Sequence, residues 1–170
     1  MTIEHFAIAE IKNNWLYAQV DVEFPTKESL VGRDLYQAGV ENKQYRILAA
    51  EMLDSAADSF TAEDIYLVDF HRLTVMFALL YSKQWSSDED QQMMIEFLTQ
   101  IIYSEPCELY IGFQNGEPVT TAILTRSNEQ VLVSDITTTD ANSDSKMSFV
   151  KSLLAKSAIS VTNGDVVLEI

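Results

Sequence analysis

The sequence predicts an α+β single domain: an antiparallel sheet of five or six strands with helices packed mainly on one face. Three observations carry this reading. The C-terminal third runs strand, turn, strand, strand, helix, strand; the middle third places apolar residues at helical spacing; and the first 25 residues contain a strictly alternating run. At 170 residues with 47% hydrophobic and 10% aromatic side chains, the chain is large and apolar enough to close one core without a second domain.

Taken in order, residues 1–25 read as a β-hairpin. Leu16, Ala18, Val20, Val22 and Phe24 alternate with Tyr17, Gln19, Asp21 and Glu23, Asn13-Asn14 suits a tight turn back to Phe6–Ile11, and Pro25 ends the second strand. Residues 26–40, punctuated by Gly32 and Gly39, read as a loop. Tyr45, Leu48, Ala49, Met52 and Ala56 then predict an amphipathic helix over about 41–58. A second helix is expected from Thr61-Ala62-Glu63-Asp64, whose hydroxyl and carboxylates suit an N-terminus, through to Tyr81; Ile65–Phe70 reads equally as a short buried strand. The third helix has the clearest signals. Ser87-Asp88-Glu89-Asp90 is a capping pattern, Met94, Leu98, Ile101 and Ile102 form a stripe, and Pro106 closes the segment. The helical part thus spans 41–105.

Over 108–170 the expected strands are Leu109–Phe113 and Val119–Leu124, joined through Asn115-Gly116-Glu117-Pro118, then Val131–Thr138. After a loop at 139–145, a helix is expected over Ser145–Ala158, followed by a strand over Val166–Ile170.

With 26 acidic against 11 basic residues the formal charge is −15, a field that repels nucleic-acid phosphates and anionic lipid. Nucleic acid and membrane are therefore not expected partners, while a protein partner or a homodimer remains open. The N-terminus lacks the basic and apolar regions of a signal peptide, and the longest apolar run, Leu73–Tyr81, falls short of the ~20 residues needed to cross a bilayer. With a single cysteine, Cys107, excluding an internal disulfide, these features place the protein in the cytoplasm.

The run Leu109-Tyr-Ile-Gly112-Phe-Gln-Asn-Gly116-Glu-Pro-Val119-Thr-Thr-Ala-Ile-Leu124, the strand Val131–Thr138 and the helix Met147–Ala158 together resemble the GNAT N-acetyltransferase fold over about residues 108–170. The resemblance implies a strand, Val131–Thr138, whose exposed backbone meets an acyl-pantetheine, and a glycine-rich turn at the start of the following helix that holds a pyrophosphate on free amides. Asn142, Ser145 and Met147 stand where that motif has Arg or Gln, Gly, and Gly or Ala. None matches. Met147 adds bulk, Asp140 and Asp144 add negative charge, and Asp144 or Ser145 can cap the helix with the amides a phosphate would need.

Single residues add little chemistry. His71, near Asp64, Asp69 and Arg72, is a base or metal-ligand candidate but reads first as the polar stripe of a buried helix. Asp135 interrupts an apolar strand and reads as a hydrogen-bonded core or edge carboxylate, with substrate orientation as the alternative. Cys107, between Glu105 and Glu108, should have a raised thiol pKa and so be no nucleophile; His5 sits near the terminus and supports no argument. No catalytic, cofactor-binding or metal-ligating residue is therefore assigned, and no cofactor is expected. Two classes of function follow: a degenerate GNAT-like protein acting without catalysis, with a divergent acyltransferase behind it, and a small acidic binding module such as a chaperone or adaptor.

Overall fold

The computed structural model describes residues 6–139, 143–161 and 164–170. Helix α1 (Ala7–Tyr17) leads through a 3-10 turn (Ala18–Val20) to α2 (Lys27–Val40), then β1 (Tyr45–Ile47) and α3 (Ala50–Asp54). Strand β2 (Ile65–Leu67) is followed by α4 (His71–Ser82) and α5 (Asp88–Leu98). Strands β3 (Cys107–Gln114), β4 (Glu117–Ser127) and β5 (Gln130–Thr138), helix α6 (Ser143–Lys156) and β6 (Val166–Glu169) complete the chain.

The strands form one six-stranded sheet in the order β1-β6-β5-β4-β3-β2. The sheet is mixed, which corrects the antiparallel expectation. Helix α6 carries the chain from β5 over one face into β6, so the two strands run the same way, with Val131 opposite Val166 and Val133 opposite Leu168. The remaining pairs are antiparallel. Asn115 and Gly116, at φ 54° and 78°, make the tight turn between β3 and β4 that the Asn-Gly pair predicts.

Side chains alternate across the sheet between two cores. Leu109, Ile111 and Ile123 pack with Leu16, Tyr36, Phe77, Met94, Phe97 and Leu98 from α1, α2, α4 and α5. On the opposite face Tyr110, Leu124, Val131 and Val133 pack with Phe149, Val150, Leu153 and Leu154 of α6. Most helices thus lie on one face, and α6 with α3 covers the other.

The C-terminal elements lie where the sequence places them; the N-terminal ones do not. The β-hairpin expected over residues 1–25 is helix α1 and its 3-10 turn, with residues 1–5 outside the described residues. A period of two contains a period of four: Leu16 and Val20 are buried one turn apart, whereas Val22 and Phe24, which completed the alternating pattern, are exposed. The loop expected over 26–40 is α2, capped by Thr26 Oγ1 accepting from Ser29 N–H (3.1 Å). Its Gly32 is a packing residue rather than a breaker, since a Cβ there would collide with the Met93 carbonyl oxygen and lie 2.7 Å from Phe97 Cβ on α5.

The helix expected over 41–58 is reduced to α3, because Tyr45–Ile47 pairs with β6 and forms the sheet edge. Of the two readings at Ile65–Phe70 the strand holds, but only over Ile65–Leu67 and as a sheet edge with Tyr66 and Leu67 exposed rather than buried. Thr61 N–H and hydroxyl both donate to Asp64 Oδ2 (2.9 and 3.0 Å), but that cap serves a single 3-10 turn (Ala62–Asp64), and the helix starts at His71. Helix α5 has the expected cap, Ser87 Oγ accepting from Asp90 N–H (3.1 Å), and buries Met94 and Leu98, but it ends at Leu98, so Ile101, buried, and Ile102, exposed, lie beyond the helix whose stripe they were expected to extend. Of the loop expected over 139–145, residues 140–142 lie outside the described residues and α6 begins at Ser143.

The two helical glycines of α2 should respond oppositely to one methyl group. Gly32→Ala forces α2 and α5 apart and is expected to cost roughly 1 to 3 kcal/mol. Gly39→Ala meets nothing within 4 Å and should gain roughly 0.5 to 1 kcal/mol from a stiffer unfolded chain. Urea melts of the two variants read the difference directly; equal effects would mean that the helices do not approach as described.

Candidate functional site

The chemistry of the molecule concentrates where β5 is irregular. Thr121 pairs with Thr137 and Ile123 with Ser134, so Asp135 and Ile136 together oppose Ala122. Asp135 takes φ 54°, a left-handed conformation that Asp tolerates better than most residues. In a regular strand Ser134 and Asp135 would point to opposite faces. The bulge turns both toward the helices, and Ser134 Oγ donates to Asp135 Oδ2 at 2.7 Å.

Three helices converge on that carboxylate. Lys12 Nζ from α1 lies 2.9 Å from Asp135 Oδ2, and the hydroxyls of Tyr36 on α2 and Tyr81 on α4 donate to Oδ1 at 2.5 and 2.7 Å. Lys12 also donates to the Tyr36 hydroxyl (2.5 Å) and lies 5.1 Å from the centre of the Tyr36 ring. Glu169, from β6, closes the far side: its Oε1 accepts the backbone N–H of Asp135 (3.0 Å), its Oε2 accepts from Tyr45 Oη on β1 (2.8 Å), and Lys12 Nζ stands 3.7 Å away. Lys12 is 0% exposed, Asp135 2% and Glu169 6%, so this is a charged network inside the core.

Electrostatics fixes its protonation. Burial works against the Lys12 ammonium, yet Asp135 and Glu169 outweigh it and hold the lysine pKa above its ordinary value. Burial likewise works against the Asp135 carboxylate, but Lys12, Ser134, Tyr36 and Tyr81 outweigh it and hold its pKa below the usual range. The pair is ionised, and the Tyr36 and Tyr81 hydroxyls are held neutral, first by burial and then by the adjacent carboxylate. A neutral lysine base and a protonated aspartic acid are both disfavoured here.

A cavity of about 420 Å³ lies beside the network, lined by Tyr36, Tyr81, Trp85, Lys43, Gln84 and Glu169. A second, of about 400 Å³, shares Gln84 and is lined by Lys83 and Thr137–Thr139 near the end of β5. The β5 backbone along this crevice is largely engaged: Thr121 Oγ1 donates to the Asp135 carbonyl (3.0 Å), Thr120 Oγ1 to the Thr137 carbonyl (2.6 Å), and Thr139 N–H to the Val119 carbonyl (2.9 Å).

No family model matches the sequence, and no curated protein matches it either. The crystal structure of a functionally unknown conserved protein from Staphylococcus epidermidis ATCC 12228 is similar in fold, with TM-score 0.54 and 13% identity over 80% of this chain and 55% of that one. This chain spans about half the length of that neighbour, and at such identity the likeness concerns the fold alone.

The residues weighed from sequence fall in different places. Asp135 is the hydrogen-bonded core carboxylate of its first reading. His71 is exposed at the first position of α4, not part of a buried polar stripe, because that helix begins ten residues later than Thr61 would start it. The Cys107 thiol is pushed up to about 11 as expected, although burial rather than its acidic neighbours is the main cause; its Sγ lies 3.3 Å from Thr125 Oγ1. Met147 packs against the α6-side core, while Asp140, Asn142 and His5 lie outside the described residues. Among the described residues no group of three or more His, Cys, Asp or Glu is placed to hold a metal, and no helix is long and apolar enough to cross a membrane. Sequence reasoning missed Lys12, Tyr36, Tyr81 and Glu169. The signal for Lys12 was its position four residues from both Ile8 and Leu16, a lysine within an apolar helical stripe that reading the segment as a strand conceals.

Removing the cation leaves two carboxylates buried without it, so Lys12→Met is expected to destabilise the fold by about 3 to 5 kcal/mol in urea melts. The pH dependence has a definite sign. With its folded pKa depressed, Asp135 contributes stability above its unfolded pKa of about 3.9 and loses it as pH falls through the folded value. The stability difference between the wild type and Asp135→Asn, whose amide tolerates the same backbone, should therefore shrink between about pH 5 and pH 2. Lys12 sets the other limb, losing its contribution as pH rises past about 10.4 and through its raised folded value. A difference independent of acid pH would show that the pair is not ionised.

Proposed function

We propose that this protein is a non-catalytic binding module on a GNAT-like sheet, in which the crevice that would receive an acyl-pantetheine is occupied by the protein's own groups. One observation carries the reading: the backbone N–H of Asp135, at the bulge of the strand that would meet such a ligand, is bound by Glu169 Oε1. A ligand carbonyl seeking that N–H must displace a buried carboxylate that also holds Tyr45. The groups that would serve as acid or base are committed to one another, with Lys12 fully buried and the tyrosine hydroxyls spent on Asp135. The acidic composition agrees with a partner-binding role in the manner of a small chaperone or adaptor.

The decisive experiment is a thermal-shift titration with coenzyme A and acetyl-coenzyme A. A ligand at a hundred times its dissociation constant stabilises a fold by roughly 2.7 kcal/mol, a shift that is easily read. No shift is expected at millimolar cofactor. A saturable shift that disappears in a variant with bulk introduced at Ser145 restores the acyltransferase reading.

A further inference from the structure

Strand β2 is the last strand of the sheet on the side away from β1, and among the described residues no strand covers its outer edge. Val68 N–H bonds inward to the Leu109 carbonyl (2.8 Å). Because bonding direction alternates from residue to residue in an antiparallel ladder, the N–H and C=O of Leu67 point outward. Exposed apolar side chains stand along this edge: Tyr66 is 50% accessible, Leu67 39% and Phe70 52%. Toward one end a hollow of about 540 Å³ is walled by Tyr66, Phe70, Leu73, Met76 and Phe113. Toward the other a hollow of about 580 Å³ is walled by Leu67, Val68, Tyr103, Cys107 and Leu109.

The charges around these hollows have one dominant sign. Glu63, Asp64 and Arg72 line the first, and Asp69, Glu105, Glu108 and Arg126 the second, where Arg126 Nε turns to Glu108 Oε1 at 3.4 Å. Lys156 stands at the start of the strand and closes it there, donating to the Ala62 and Ile65 carbonyls (2.8 and 2.5 Å). The edge open to a partner therefore runs from Leu67 toward Asp69.

We propose that this edge docks an extended segment of another protein whose side chains alternate between apolar and basic, a proposal that rests on the non-catalytic binding reading and names its surface. The segment adds a strand by pairing with the Leu67 backbone, sets an apolar side chain into the hollow at Tyr66 and Phe113, and brings Lys or Arg to Asp69 and Glu105. A second copy of this chain is the poorer occupant, since it brings the same acidic rim and the same −15 charge to the contact.

The test is fluorescence anisotropy with a short labelled peptide of alternating valine and lysine, its valine–glutamate counterpart, and light scattering to follow self-association. The lysine peptide should bind saturably at about 0.15 M salt and weaken as salt rises, while the glutamate peptide should not bind. Leu67→Pro removes the outward N–H without removing an inward ladder bond and should weaken binding at least about tenfold with the melting temperature unchanged. Should that variant unfold, the double reversal Asp69→Lys with Glu105→Lys, which leaves the strand intact, should show the same loss. Absence of lysine-peptide binding, equal binding by folded Leu67→Pro, or unchanged binding by the charge reversal each overturns the proposal, as does a dimer that Leu67→Pro dissociates. The coenzyme A titration separates the two readings: no cofactor shift together with no peptide binding sinks this surface alone, whereas a saturable cofactor shift sinks the non-catalytic reading.

Discussion

The contact between Lys12 and Asp135 is the constraint around which the helical side of this molecule is arranged. Neither charge is tolerable alone in the core, and the 2.9 Å pair becomes acceptable only when further partners complete it. Those partners come from α2, α4 and β6, so meeting the needs of one carboxylate fixes the position of several elements at once. Ile8, Ala9 and Leu16 seat α1 by close packing, and the ion pair adds a directional requirement to that seat. A lysine that must meet one particular oxygen leaves much less freedom, which is how buried polar groups specify an arrangement even where they add little net stability.

The bulge in β5 is the backbone counterpart of that constraint. It places Ser134 and Asp135 on the same side of the sheet, and it coincides with the end of the regular pairing between β5 and β6 at Val133 and Leu168. Past that point side chains rather than backbone pairing join the two strands. Here Glu169, one residue beyond the last paired position, spans the opening with its side chain. The join is thus made from within, by a carboxylate that also holds Tyr45.

Legibility differed between the halves of the chain for a physical reason. From Cys107 onward, the strands are long and buried, their turn carries an Asn-Gly pair, and α6 has its own apolar face, so local pattern and tertiary environment agree. Before that, short elements depend on distant partners. Tyr45–Ile47 is a strand because β6 is there to receive it, and Gly32 sits in a helix because α5 passes too close for a side chain. The candidate site was readable at one residue, Asp135, which broke an apolar strand visibly. Its partners were hidden because a tyrosine in a helix and a lysine among apolar residues look ordinary until the elements are assembled, and the mistaken strand at Leu16–Phe24 removed the frame in which Lys12 would have stood out.

The network also spans the chain in sequence, since Tyr36 and Asp135 are 99 positions apart and Tyr45 and Glu169 are 124 apart. Contacts between such distant residues close large loops and so form slowly. During synthesis, Lys12 and Tyr36 emerge long before the carboxylates that complete them, and the cover that Val167 gives Ile8 comes with β6. Lys12 can reach both of its carboxylates only once β5 and β6 are present, so the cation that joins the first helix to the last strand is the first part of the network to be made and the last to be completed.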